Sequence, residues 1–244
     1  MNEPSVVPWE ILADPAALAA RVADWLLGLA RAKDGDFSLC LSGGSTPRRL
    51  YRLLAAAPCR DTFPWSRTHV FWGDERFVPH ADARSNYRMV KEALLSHVPI
   101  PLHNIHPIPT EGYSPDAAAS VYERELKSFY GEDQLRPDRP LFDVTLLGLG
   151  PDGHTASLFP GTAVLSERER WVAAVIGAEA EARITLTYPA LESSRQAAFL
   201  IEGNGKHDVL KRLSDGDSDL PASHLHPVGQ LSCFVDAAAA GTQK

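Results

Sequence analysis

The stretch FDVTLLGLGPDGHTASLFPGT, residues Phe142–Thr162, decides how the rest of the chain is read. It opens on an apolar run, passes through Gly148, Gly150 and Gly153, and then places a single histidine, His154. A strand that is apolar almost throughout is covered on both faces, as the strands of a parallel sheet are. Parallel neighbours need crossovers, so helices must lie between this strand and the next. The segment that follows such a strand emerges at the C-terminal edge of the sheet, where ligands of open α/β sheets bind. His154 is therefore either a packed ring or a base at a ligand edge. An isolated histidine is more often the first; the strand-and-glycine setting argues for the second.

Outward from this stretch the same alternation recurs. FSLCLSGG (37–44) reads as a buried strand ending in glycines, and PRRLYRLLAAA (47–57) as the helix after it. THVFWGDE (68–75) is a second strand, followed by a helix over RSNYRMVKEALL (84–95) with Ser85 or Asn86 near its start. PDAAASVYERELKSFY (115–130) is a further helix. RITLT (183–187) and AAFLIEG (197–203) are two more strands, GKHDVLKRL (205–213) a late helix and SCFVD (232–236) a last strand. Upstream, Asp14-Pro15 has the form of an N-cap with proline at the first helical position, and Leu18, Val22, Leu26 and Leu29 follow at helical spacing. Strands alternating with helices predict an α/β fold, doubly wound around a mainly parallel sheet with helices on both faces. No linker divides the chain, so residues 1–244 are expected to form one domain. Proline-rich segments at 99–109 and 136–140 read as loops, and the alanine-rich tail as frayed.

The composition, 244 residues with 44% hydrophobic and 23% charged, is that of a globular protein. A net charge of -7 argues against nucleic acid or an anionic membrane as the main partner. It leaves an anionic small ligand open, because a few local cations and oriented N–H groups suffice for one. The opening MNEPSVVPWEILADP has neither the basic nor the apolar region of a signal peptide, and no uncharged apolar run is long enough to span a bilayer. Cys40, Cys59 and Cys233 form no Cys-x-x-Cys, which suits a reducing compartment. A cytoplasmic protein is expected. The close pairs His103/His106 and His224/His226 lack a carboxylate or cysteine partner at ligand spacing, so no metal is expected.

Four segments carry candidate chemistry. In LSGGSTP (41–47), Gly43 and Gly44 let backbone N–H groups approach an anion, Ser45 and Thr46 add donors, and a helix N-terminus supplies a positive dipole. A plain capped turn is the alternative. The segment is neither a Walker loop nor a Gly-x-Gly-x-x-Gly, and Pro47 breaks the Gly-x-Ser-x-Gly elbow of serine hydrolases. Asp74, Glu75 and Arg76 follow directly on a strand: either a solvated loop, or an arginine for an anion or oxyanion with Asp74 beside it. Asp152 and His154 stand two residues apart, so that a carboxylate could hold the tautomer of a general base. Arg183 and Lys206 are cations at the ends of elements, able to complete a phosphate site or merely to face solvent.

Taken in order, LSGGSTPRRLY, FWGDERFVPHADARSNYRMV, FDVTLLGLGPDGHTASLFPGT and RITLTYPAL resemble the 6-phosphogluconolactonase family from about Phe37 to about Leu213. The resemblance implies a Rossmann-like domain of the type shared with glucosamine-6-phosphate deaminase and, more distantly, ribose-5-phosphate isomerase. It implies hydrolysis of a sugar-phosphate lactone in the pentose phosphate pathway, without metal or organic cofactor; a monomer or weak homo-oligomer is expected. It makes His154 the general base and puts Arg76 near the lactone. Gly43 to Thr46 and Arg183 become the phosphate contacts, with Lys206 assigned by analogy to the deaminases. Two rivals remain: a deaminase, whose acid partner after the histidine is missing here until Glu167, and a non-catalytic sugar-phosphate sensor, which would need a DNA-binding region that the sequence does not display.

Overall fold

Residues 9–242 are described by the computed structural model; residues 1–8, part of the stretch read for a signal peptide, lie outside them. The chain runs β1 (Trp9–Leu12), α1 (Pro15–Ala32), β2 (Phe37–Leu41), α2 (Ser45–Leu54), α3 (Cys59–Thr62), β3 (Thr68–Trp72), β4 (Asp74–Arg76), α4 (Asn86–Val90), β5 (Ile105–His106), α5 (Pro115–Tyr130), β6 (Phe142–Leu147), β7 (Val172–Val175), β8 (Arg183–Leu186), α6 (Tyr188–Glu192), β9 (Ser194–Ile201), α7 (His207–Ser214) and β10 (Gln230–Asp236). A π-helical turn, Lys91–Leu95, continues α4.

Seven strands form a sheet in the order β1-β10-β9-β6-β2-β3-β5, and every pairing in it is parallel. Central strands β2 and β6 are buried at every position, which is why both read as mainly apolar; Ser38, Asp143 and Thr145 are the polar exceptions, and each is hydrogen-bonded. Helix α1 starts where the sequence places it: Asp14 Oδ1 accepts from the N–H groups of Ala16 and Ala17, each at 2.8 Å, and Leu18, Val22 and Leu26 face the core. Two buried tyrosines secure the strand ends that lead into the site. Tyr51 Oη donates to the Ser42 carbonyl at 2.8 Å and accepts from its N–H at 3.1 Å; Tyr122 does the same for Trp72, at 3.1 and 2.9 Å. Each hydroxyl thus satisfies backbone groups that a buried loop start would leave orphaned.

The expected strand over 68–75 is two strands in two sheets. At Gly73 the chain changes partners: its N–H donates to the Leu41 carbonyl at 2.9 Å, and its carbonyl accepts from the Leu186 N–H at 2.8 Å. Beyond it, β4 joins a three-stranded sheet, β4-β8-β7, in which both pairings are antiparallel. RITLT, counted by sequence among the strands of one parallel sheet, therefore lies in the smaller sheet. Strands β1, β5 and β7 were not anticipated. The tail is not frayed through Thr242: Ala239 is buried and its N–H donates to Asp236 Oδ1 at 2.8 Å, while the Ala237 N–H donates to the Leu12 carbonyl. All three cysteines are free and buried.

Candidate active site

A cleft of about 400 Å³ opens where the C-terminal ends of β2, β6 and β9 meet the small sheet. Its volume suits a small ligand. The segment after β2, Gly43 to Pro47, forms one wall. Gly44 adopts φ 106°, a conformation open to glycine, and delivers Ser45 as the first residue of α2. Gly43 passes so close over Asn86 that a Cβ there would fall 1.9 Å from Asn86 Oδ1.

The opposite wall comes from β4 and β8. Their antiparallel register pairs Arg76 with Arg183, so two guanidinium groups are carried side by side. Arg183 is buried, and its Nε has no hydrogen-bond partner among the described residues; Glu179 is 3.9 Å from its Nη2. Burial first, and then the charge of Arg76, work against the Arg183 cation and lower its pKa. Two like charges held together, one with an unused buried donor, are relieved when an anion enters between them. Lys206, in the 3-10 turn that precedes α7, donates from Nζ to the Leu149 carbonyl at 2.6 Å. Burial lowers its pKa, and the charge of Asp152 opposes that shift.

His154 lines the same cleft. Its Nδ1 is 2.6 Å from Asp152 Oδ1, and the same carboxylate oxygen accepts from the His154 N–H at 3.3 Å. The ring packs against Phe159, with centroids 4.6 Å apart, and against the backbone of Gly150, where a Cβ would fall 2.1 Å from Nδ1. The imidazole nonetheless remains 29% exposed and lines the cleft. Partial burial acts to raise the Asp152 carboxyl, but the charge and hydrogen bonds of His154 outweigh it and hold the pKa below the usual carboxylate range. Asp152 itself faces away from the main cleft, into an adjoining depression.

Of the ten residues singled out from sequence, nine line the cleft: Asp74, Arg76, His154, Gly43, Gly44, Ser45, Thr46, Arg183 and Lys206. The tenth, Asp152, stands behind His154. Asp152 makes the carboxylate contact with the histidine. Asp74 accepts instead from Ser157 Oγ at 2.7 Å and from Asn86 Nδ2 at 3.3 Å. Sequence reasoning did not find Asn86, Ser157 or Glu202 as cleft residues. Glu202 had a signal, an acid directly after the last residue of β9. Asn86 was read only as a helix start.

Taken together, the parallel sheet, the glycine loop and the paired arginines define a Rossmann-like α/β protein with a cleft lined by two arginines and a lysine beside a carboxylate-supported histidine. The family described as glucosamine-6-phosphate isomerases/6-phosphogluconolactonase matches residues 13–233, and the chain belongs to it. It is similar to a 6-phosphogluconolactonase of Nostoc sp., with 39% identity covering 94% of this chain and 95% of that protein. A crystal structure of 6-phosphogluconolactonase from Thermotoga maritima superposes with a TM-score of 0.80 at 31% identity, covering 93% of this chain and 98% of that one. A monomeric glucosamine-6-phosphate deaminase has the same fold, with a TM-score of 0.81 at 21% identity and coverage of 96% and 99%.

Proposed function

We propose that the chain hydrolyses 6-phospho-D-glucono-1,5-lactone to 6-phospho-D-gluconate, the lactone-opening step of the oxidative pentose phosphate pathway. The observation that carries this reading is His154, supported by Asp152 and exposed to a cleft that Arg76, Arg183 and Lys206 also line. His154 takes a proton from water as the water oxygen adds to the lactone carbonyl carbon. Arg76 stabilises the resulting oxyanion. Collapse of the tetrahedral intermediate breaks the bond to the ring oxygen, which receives the proton back from the imidazolium, and the open-chain acid leaves. Asp152 holds the imidazole tautomer and stabilises its charged form. Gly43 to Thr46, Arg183 and Lys206 bind the phosphate and so fix the carbonyl over the base. Asp74 positions the wall that carries Arg76. The lactone is already an activated ester, so the step as written calls on no metal or organic cofactor.

The reading extends to a one-domain cytoplasmic enzyme over residues 1–244, a monomer or weak homo-oligomer, with a small-molecule partner and neither nucleic acid nor membrane. Among the described residues no helix is long and apolar enough to cross a membrane, and the net charge is -7.

The test is a coupled assay. Freshly made lactone is supplied with excess 6-phosphogluconate dehydrogenase, and NADPH formation is followed above the spontaneous rate. His154→Asn is expected to lower kcat by about 10²–10⁴-fold with little change in KM, the range of a lost general base. Equal rates for variant and wild type would remove His154 from the chemistry. Ammonia release from glucosamine 6-phosphate at a rate exceeding lactone hydrolysis would replace the lactonase with the deaminase.

A further inference from the structure

Arg76 is held in an unusual way for a buried-edge arginine. Among the described residues no carboxylate lies within ion-pair distance of its guanidinium; its Nη1 donates to Asn86 Oδ1 at 2.6 Å and to the Arg84 carbonyl at 3.2 Å. Both acceptors are neutral. A carboxylate in their place would orient the group equally well but would neutralise the charge that an oxyanion needs. Asn86 is only 2% exposed and its amide is fully committed, with Nδ2 donating to the Asp74 carbonyl at 2.9 Å and to Asp74 Oδ1 at 3.3 Å. These two donations fix which end of the amide faces Arg76.

The asparagine is itself fixed. Glu75, between Asp74 and Arg76 on β4, is 1% exposed and directs its carboxylate at the start of α4. It accepts from the backbone N–H groups of Asn86 and Tyr87, each at 2.7 Å, from Ser85 Oγ at 2.9 Å, and from the Arg76 N–H at 2.7 Å. Burial pushes the Glu75 carboxyl up, against these four donors. Asp74 then links the amide to Ser157, three residues beyond His154, and Gly43 lies directly over Asn86. One amide thus touches the anion loop, the strand of the arginine and, through Asp74, the turn of the histidine.

We infer that Asn86 is the positioning residue of Arg76, a neutral anchor that aims the guanidinium at the reacting carbonyl without discharging it. This rests on the lactonase reading and on the place of Arg76 in it. The experiment is a double-mutant cycle on the full chain with Asn86→Leu, which keeps the shape and removes the polar contacts, and Arg76→Ala. In the wild-type background Asn86→Leu is expected to lower kcat about 10- to 100-fold, the scale of a misaimed group, while KM changes less than about threefold, because phosphate binding dominates it. In the Arg76→Ala background the same substitution is expected to change kcat less than about twofold, since an effect routed through Arg76 vanishes with it. An equal loss of kcat in both backgrounds, or an unchanged kcat in folded Asn86→Leu, overturns the inference. If Asn86→Leu melts below the assay temperature, Asn86→Ser takes its place in the cycle with the same expectations. An inactive wild type would remove the lactonase reading before any variant was compared.

Discussion

Lys206 shows how one half-buried cation ties binding to pH. Its ammonium is the form that attracts phosphate, and burial moves its titration below the ordinary 10.5 of a lysine. A lowered pKa means that the charge is lost as pH rises through the depressed value, earlier than for a solvated lysine. Calorimetric titration with 6-phosphogluconate between about pH 7 and 10 is therefore expected to show weakening affinity along the alkaline limb. Lys206→Gln should bind less tightly at neutral pH and lose that limb. An identical pH dependence in the variant would take Lys206 out of the phosphate site.

Among the elements, the loop from β2 to α2 is the most sharply constrained. Gly43→Ala would force a methyl group into the Asn86 amide, 1.9 Å from Oδ1, and neither side can retreat without breaking a hydrogen bond. An overpacking cost of about 1–3 kcal/mol is expected, which for a chain of this size lowers Tm by very roughly 2–4 °C per kcal/mol. The lifted loop should also raise KM, measurable beside the melt in the same preparation; an unaltered Tm and KM would show that the loop does not rest on Asn86. This coupling was not legible in the sequence, and the reason is physical. Strands β2 and β6 announced themselves because burial on both faces demands a mainly apolar run, and α1 because Asp14-Pro15 is a local cap. His154, Arg76 and the Gly43–Thr46 loop were legible because each lies in the segment that leaves the C-terminal end of a strand of the large sheet, β6, β3 and β2 respectively. Strand β4 was not, because Asp74-Glu75-Arg76 looks like a solvated loop until β8, more than a hundred residues on, supplies its ladder. The role of Asn86 depends on side-chain partners at 74 and 76 that no spacing rule connects.

At the scale of the whole molecule, the cleft gathers residues from six separated segments, and Arg76, Arg183 and Lys206 meet there in a chain of net charge -7. The remote negative charge repels an anionic substrate weakly and is screened first by salt, with a Debye length near 10 Å at about 0.1 M. Contacts inside the cleft are screened far less. Raising ionic strength from about 0.05 to 0.5 M is therefore expected to change KM less than about threefold. A steep power-law loss of binding, as polyanion-binding proteins show, would contradict the small-molecule partner and the acidic surface together.

The contact between the Gly150 backbone and the His154 ring has a further consequence. In contact with that backbone and with Phe159, the imidazole is tethered at Nδ1 by Asp152. Only Nε2 is left without a protein partner among the described residues, so the hydrogen bond to Asp152 favours one orientation of the ring. A reagent that acylates imidazoles should mark this side chain at a single atom, and the adduct would cap the one lone pair that solvent can reach.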